Sequence, residues 1–172
     1  MRESTDRERM QRFMAELGRN AKKAGRVYFT GGATAVWHGW RANTVDLDVK
    51  LPEDDAVFEA IPRIKEQLHV NIEQACPSDF IPELPGWEDR SIFIAREGKL
   101  DFFHYDPYSQ ALSKIQRGHD KDLQDVDAML SSGMVDRDLL WDLFERIEPR
   151  LNRYTAIDAA TFRRHVDAVV NG

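Results

Sequence analysis

The stretch VYFTGGATAVWHGWRANTVDLDV, residues 27–49, decides the fold because two strand patterns and one helix pattern follow each other within it. Residues 26–29, with Val27, Tyr28 and Phe29 after Arg26, predict a short buried strand. A break at Gly31-Gly32 follows, and residues 33–38 are typical of the first turns of a helix. From residue 44 to 51, polar and apolar residues alternate strictly. We therefore expect a second strand with Asp46 and Asp48 on the same polar face.

The two aspartates suit a site for a divalent metal. Nucleotidyl transfer requires a metal that bridges phosphates, and Mg²⁺ prefers oxygen ligands such as carboxylates. Residues two apart on a strand project from the same face, so Asp46 and Asp48 can reach one ion. The pattern predicts a Mg²⁺ (or Mn²⁺) site with an NTP as the substrate.

The glycine pair suits a phosphate site. Gly31 and Gly32 have no Cβ, so a backbone turn there can approach phosphates closely and present amide groups at a helix start. The hydroxyls of Thr30 and Thr34 are candidates for further contacts with the same phosphates. A Gly-Gly pair alone is typical of an ordinary turn, and two acids alone are typical of a solvated strand. The order of strand, Gly-Gly, helix and Asp-x-Asp strand favours nucleotide binding.

Around this stretch the chain alternates helices and strands and then becomes helical. We expect an opening helix with a Thr5/Glu8 capping box, a helix over 57–68, a strand over 70–75 and a loop over 76–89. A hairpin of 91–96 and 100–105 is expected to turn at residues 98 and 99, and helices follow from Asp106. These patterns predict an α/β core over residues 1–106 and a helical segment over 107–172.

Composition narrows the class of protein. The 172 residues carry a net charge of −6, which argues against a protein that coats nucleic acid. No apolar run is long enough to span a membrane, and the charged N-terminus does not resemble a signal peptide. Cys76 is the only cysteine, so no disulfide forms within the chain. Together these features predict a cytoplasmic protein that does not bind a membrane.

Residues 27–49 resemble the signature of the nucleotidyltransferase superfamily that includes DNA polymerase β. The later stretch DPYSQALSKIQRGHDKDLQDV, residues 106–126, is similar to bacterial abortive-infection nucleotidyltransferases, including toxin components of toxin–antitoxin pairs. The resemblance implies an α+β fold: a short mixed sheet flanked by helices, then a helical C-terminal segment. It further implies a transferase that uses an NTP, an RNA, protein or small-molecule acceptor, and a cognate toxin or antitoxin partner.

The same resemblance assigns roles to individual residues. It implies that Gly31, Gly32 and Thr34 line the phosphate site and that Asp46 and Asp48 are catalytic and hold metal. It also implies that Lys114 contacts the triphosphate and that Asp122 supports catalysis or positions this lysine.

Three questions stay open at this stage. Asp122 lies eight residues after Lys114, so the two side chains can meet only if the helix breaks at Gly118, which we predict. Asp101 is either a third metal-binding carboxylate beside Asp46 or an ordinary strand residue. A nucleotide-binding antitoxin that acts through protein contact, and a transferase that modifies an aminoglycoside, are the alternatives to a toxin-type transferase.

Overall fold

The computed structural model describes residues 3–172, so Met1 and Arg2, the start of the first predicted domain, lie outside the described residues. The chain divides into two compact units. The first, here called the sheet unit, comprises Met1–Cys76 and Ile92–Tyr105. The second, here called the helical unit, comprises Pro77–Ser91 and Asp106–Gly172.

The sheet unit contains one five-stranded mixed sheet with the order β3-β2-β1-β5-β4. Strand β1 pairs antiparallel with β2 and parallel with β5, while β2 and β3 are parallel and β4 and β5 form the predicted hairpin. Its elements are α1 (Arg7–Asn20), β1 (Gly25–Thr30), α2 (Gly32–Trp37), β2 (Asp46–Lys50), α3 (Asp55–Leu68), β3 (Asn71–Gln74), β4 (Ile92–Glu97) and β5 (Leu100–His104).

One face of the sheet packs on the hydrophobic core of this unit. Every second residue of the central strands is fully buried, and these residues form one cluster with apolar residues of α1 and α3. The buried strand residues are Val27, Phe29, Leu47, Val49, Leu100 and Phe102. The intervening residues face the other way. The strict alternation in the sequence therefore does place Asp46 and Asp48 on one face, opposite the core.

The helical unit begins with a short 3₁₀ turn and contains five α-helices. These are α4 (Trp87–Arg90), α5 (Pro107–Arg117), α6 (Asp120–Ser131), α7 (Arg137–Ile147) and α8 (Ala159–Asn171), with a second 3₁₀ segment at Glu148–Arg153. Asp106 caps α5 by accepting hydrogen bonds from the amides of Tyr108 and Ser109. Residues 77–91 belong to this unit, partly because Arg90 forms a forked ion pair with the buried Asp106 at 2.8 and 3.1 Å.

The α+β class, the mixed sheet and the helical C-terminal segment are confirmed. The predicted capping box at Thr5 is wrong. The side chain of Asp6 caps α1 by accepting from the Arg9 amide at 2.9 Å, because the Thr5 backbone is already paired with Thr44. Within residues 3–172, no helix is both long and apolar enough to cross a membrane.

Candidate active site

The two aspartates of β2 lie side by side on the exposed face of the sheet. Leu47 and Val49, their neighbours, are fully buried, whereas both aspartates are partly exposed. Asp48 lies directly opposite Thr30 at the end of β1. Asp46 accepts a hydrogen bond from the side-chain amide of Asn71, which lies opposite it on β3. Neighbouring strands thus hold both carboxylates at the end of β1 where the glycine turn begins.

The glycine turn lies against Asp48. Gly31 has φ 65° and ψ −131°, a conformation that strongly favours glycine. A Cβ at Gly31 would lie 3.1 Å from Oδ2 of Asp48, and a Cβ at Gly32 would clash with the side chain of Thr44. The turn therefore needs two glycines for two different reasons, and the first of them brings bare backbone next to a carboxylate.

The two threonines of the predicted phosphate site are both buried. Thr30 is 8% exposed, at the end of β1, and Thr34 is fully buried in α2. The hydroxyl of Thr34 lies 3.0 Å from Nδ1 of His104, a residue of β5. The hydroxyl of Thr34 therefore faces the interior, where His104 engages it, and contact of Thr34 with the phosphates stays a prediction.

His104 occupies an unusual position for a histidine. Its ring is 1% exposed, and its Nε2 has no hydrogen-bond partner within residues 3–172. The ring of His38 lies 4.6 Å from it between centroids, and Nδ1 of His38 donates to the carbonyl of Thr34 at 2.9 Å. Burial, assisted by His38 and Arg7, lowers the pKa of His104 to about 3. The imidazole is therefore neutral at physiological pH.

Asp101 does not join the aspartates of β2. The sheet register places it opposite Arg26, four residues before Thr30, so it lies about 13 Å along the strand direction from the level of Asp48. Its carboxylate is held in a fork by Arg96 at 2.6 and 3.0 Å, and this hydrogen bonding lowers the pKa of Asp101. The expectation that Asp101 is a third metal ligand is therefore corrected: it is a paired strand carboxylate.

A different acid, Glu73, lies on the face of the two aspartates. It is opposite Asp48 in the parallel pairing of β2 and β3, and its Oε1 accepts from Asn71 at 3.2 Å. The alternation of polar Asn71 and Glu73 with buried Ile72 was the available signal in the sequence. Among residues 3–172, no three His, Cys, Asp or Glu side chains are grouped closely enough to form a metal site by themselves.

The helical unit contains a second cluster of predicted residues. Lys114 on α5 is only 3% exposed, and its Nζ lies 2.8 Å from Asp125 and 3.7 Å from Asp122, both on α6. Asp122 also accepts from Arg117 at 2.9 Å. The predicted break is confirmed, because α5 ends at Gly118 with φ 72° and α6 begins at Asp120. The reversal of direction brings Asp122 and Asp125 back to Lys114.

The comparison with protein families decides the class of this protein. The profile of a family described as a nucleotidyltransferase of unknown function, DUF6036, matches residues 8–168. The chain belongs to the DUF6036 family. No curated protein and no solved structure was found to match this chain.

Membership in DUF6036 confirms the nucleotidyltransferase superfamily to which residues 27–49 are similar. It supports an NTP as substrate. The toxin–antitoxin setting, the acceptor, the metal and the roles of individual residues stay predictions for this DUF6036 protein.

Proposed function

We propose that this DUF6036 protein is a Mg²⁺-dependent nucleotidyltransferase whose reaction centre is the face of β2 beside the glycine turn. One observation carries this proposal: a Cβ at Gly31 would lie only 3.1 Å from the Asp48 carboxylate. Bare backbone and a carboxylate at that spacing suit a phosphate group and the metal that accompanies it.

The oxygen donors of β2 fit Mg²⁺ (or Mn²⁺). This hard cation is usually held by one or two carboxylates, with water and substrate phosphates completing its shell, so Asp46 and Asp48 suffice without a third protein ligand. Asn71 fixes one oxygen of Asp46, which orients the carboxylate before substrate binds. When bound, the metal neutralises phosphate charge and holds the triphosphate in line with the acceptor.

The chain's own residues then bind and orient the substrate. The Gly31-Gly32 backbone, with Thr30 beside it, contacts the phosphates, and Glu73 supplies a further carboxylate near Asp48. An acceptor hydroxyl forms a bond to the α-phosphorus while the bond from that phosphorus to the β-phosphate oxygen breaks. Pyrophosphate leaves, and the hydroxyl proton passes to a carboxylate of this face or to water.

Lys114 and Asp122 belong to the same proposal through the resemblance to abortive-infection transferases. We assign the Lys114 amine to the triphosphate, where a cation offsets charge that grows in the transition state. Asp122 and Asp125 fix the position of that amine, which is 3% exposed, so its proposed role at the triphosphate rests on the resemblance.

The biological setting that we propose is a toxin–antitoxin or defence system in the cytoplasm, with RNA, a protein or a small molecule as the acceptor. A catalytically weak nucleotide-binding antitoxin is the first alternative, and its sign would be co-purification with a neighbouring gene product. An aminoglycoside-modifying enzyme is the second alternative, and it requires an acidic acceptor pocket because these substrates are cations.

Transfer of label from radioactive NTPs tests the proposal. Each of the four α-³²P-labelled NTPs is incubated with Mg²⁺ and the protein, alone or with total tRNA, cell lysate or an aminoglycoside. The account predicts a labelled product that requires both metal and intact Asp46 and Asp48. Binding of an NTP without any labelled product would favour the antitoxin alternative.

A further inference from the structure

The face of the sheet that carries the aspartates also carries a row of three aromatic side chains, which is buried at Tyr28 (5% exposed) and exposed at Phe93. Tyr28, Phe103 and Phe93 lie opposite one another across β1, β5 and β4. The rings of Tyr28 and Phe103 are stacked at 5.4 Å, and those of Phe103 and Phe93 meet edge to face at 5.6 Å. We call these three residues the aromatic row. It lies two residues, about 7 Å, from the level of Asp48 along the strands.

The outer end of the aromatic row is open to solvent. Phe93 is 56% exposed, the same fraction as the most exposed large apolar side chains of residues 3–172. The packing of its neighbour Phe103 does not cover it, since the two rings meet only at an edge. An exposed aromatic side chain on a sheet face is a typical stacking platform for unpaired bases.

A basic cavity adjoins the aromatic row on the side away from Asp48. A cavity of about 500 Å³ is lined by Arg26, Arg96 and Lys99, with Asp101 as its only acid. The guanidinium of Arg26 lies 5.3 Å from the ring of Phe103, so the cavity and the row share a boundary. Three cations against one anion make this part of the surface positive, although the whole chain carries a charge of −6.

We propose that the aromatic row and the basic cavity bind a single-stranded nucleic acid that is the acceptor of the transfer reaction. A base stacks on the exposed ring of Phe93, and the backbone phosphates contact the cations of the cavity. Sequence-tolerant binding of single strands combines these two elements, whereas the paired bases of a duplex cannot reach the rings. Binding of the nucleic acid is independent of the proposed function, and only its role as the acceptor rests on that function.

The charge of the cavity favours a polyanion as its occupant. Arg26, Arg96 and Lys99 line the cavity with a single acid, Asp101, and Arg26 also borders the aromatic row at the ring of Phe103. Along the strand direction the row lies about 7 Å from the level of Asp48, and across the sheet β5 and β1 separate Phe93 from Asp48 by about 14 Å. A nucleic acid bound at Phe93 therefore has to extend by more than one nucleotide to bring a terminal hydroxyl to the carboxylates.

Fluorescence anisotropy with a labelled 12-nucleotide single-stranded RNA tests the inference. The full chain is titrated without NTP or divalent metal, and Phe93→Ala, Phe93→Trp and Arg26→Gln are compared with the natural sequence. Phe58→Ala is the matched control, because Phe58 is also exposed (38%) but lies on α3. Arg12→Gln is the control for charge, since Arg12 is an exposed arginine of α1. Thermal unfolding confirms that each variant is folded.

We expect Phe93→Ala and Arg26→Gln to weaken binding about tenfold or more, with Phe93→Trp retaining it and both controls unchanged. Preference for the single strand over the matching duplex is also expected. Equal affinity of Phe93→Ala and the natural sequence would overturn the inference, as would a Phe93-dependent dimer in sedimentation that binds no RNA. Because NTP and metal are omitted, failure of the transfer reaction leaves this result unaffected.

Discussion

Gly31 and Asp48 are packed against each other: the space where a side chain of Gly31 would begin lies 3.1 Å from the Asp48 carboxylate. Two features that are 17 positions apart in the sequence thus form one surface, because Thr30 and Asp48 are paired across β1 and β2. The proposed function depends on this contact, since it brings bare backbone at the glycine turn next to the carboxylate proposed to hold the metal.

Substitution of Gly31, compared with substitution of Gly39, separates the backbone strain caused by a positive φ from the contact between Gly31 and Asp48. Gly31→Ala is expected to lower the free energy of unfolding by about 1–2 kcal/mol, because its φ of 65° disfavours a Cβ, and to weaken binding of Mg-NTP. Gly39→Ala is the matched control, since Gly39 also has a positive φ of 79° but no atom within 4 Å of its Cβ position. Urea unfolding and NTP-dependent thermal shifts measure both variants. Equal loss of NTP binding in the two would contradict a special role of the Gly31–Asp48 contact.

The buried pair of Lys114 and Asp125 should show strong coupling. Lys114→Met removes the cation 2.8 Å from a carboxylate that is 3% exposed, so we expect a loss of roughly 3–5 kcal/mol in unfolding free energy. Asp125→Asn should cost much less in the Lys114→Met background than in the natural sequence. A double-mutant cycle by urea denaturation measures this difference, and additivity within about 0.5 kcal/mol would contradict the pairing.

His104 makes stability depend on pH in the acidic range. Its folded pKa of about 3 lies below the ordinary value of 6.5, so the unfolded chain binds a proton that the folded chain excludes. The His104 contribution is therefore fully present above pH 6.5 and is lost as pH falls towards 3. Between pH 6.5 and 5 it should decrease by roughly 2 kcal/mol.

Urea denaturation of the natural chain and of His104→Gln across this range isolates the effect. Acidic groups with lowered pKa values, such as Asp101, also lower the free energy of unfolding as pH falls, but they do so equally in both proteins. The free energy of unfolding should therefore fall more steeply in the natural chain. Parallel curves would contradict the assignment of a neutral, buried imidazole.

Local patterns predicted much of the fold. The alternation around Asp46 and Asp48 identified their common face, and Gly118 identified the break that reverses the chain between α5 and α6. The helix predicted over 57–68 is α3, which continues through Pro62. These features depend on neighbours within a few residues, which a sequence shows directly.

Other features depend on residues that are far apart in the chain. The inward hydroxyl of Thr34 contacts His104, which lies 70 positions later in the chain. The position of Asp101 away from Asp48 follows from the strand order, and its carboxylate is paired with Arg96. The alternation of residues 71–73 indicates the face of Glu73, but its position opposite Asp48 follows from the pairing of β3 with β2. No local pattern specifies which strands are adjacent, so these three residues could not be placed from sequence.

The most direct test of the account is Mg²⁺-dependent NTP binding by the double variant Asp46→Asn with Asp48→Asn, measured as a thermal shift for each NTP. Asp101→Asn is the discriminating control, because this carboxylate shares the face of the sheet but lies at the level of Arg26. The account predicts that the double variant unfolds within about 0.5 kcal/mol of the natural protein and shows no metal-dependent shift, while Asp101→Asn retains the shift. A full shift in the double variant, or its loss in Asp101→Asn alone, would contradict the metal and nucleotide site on β2.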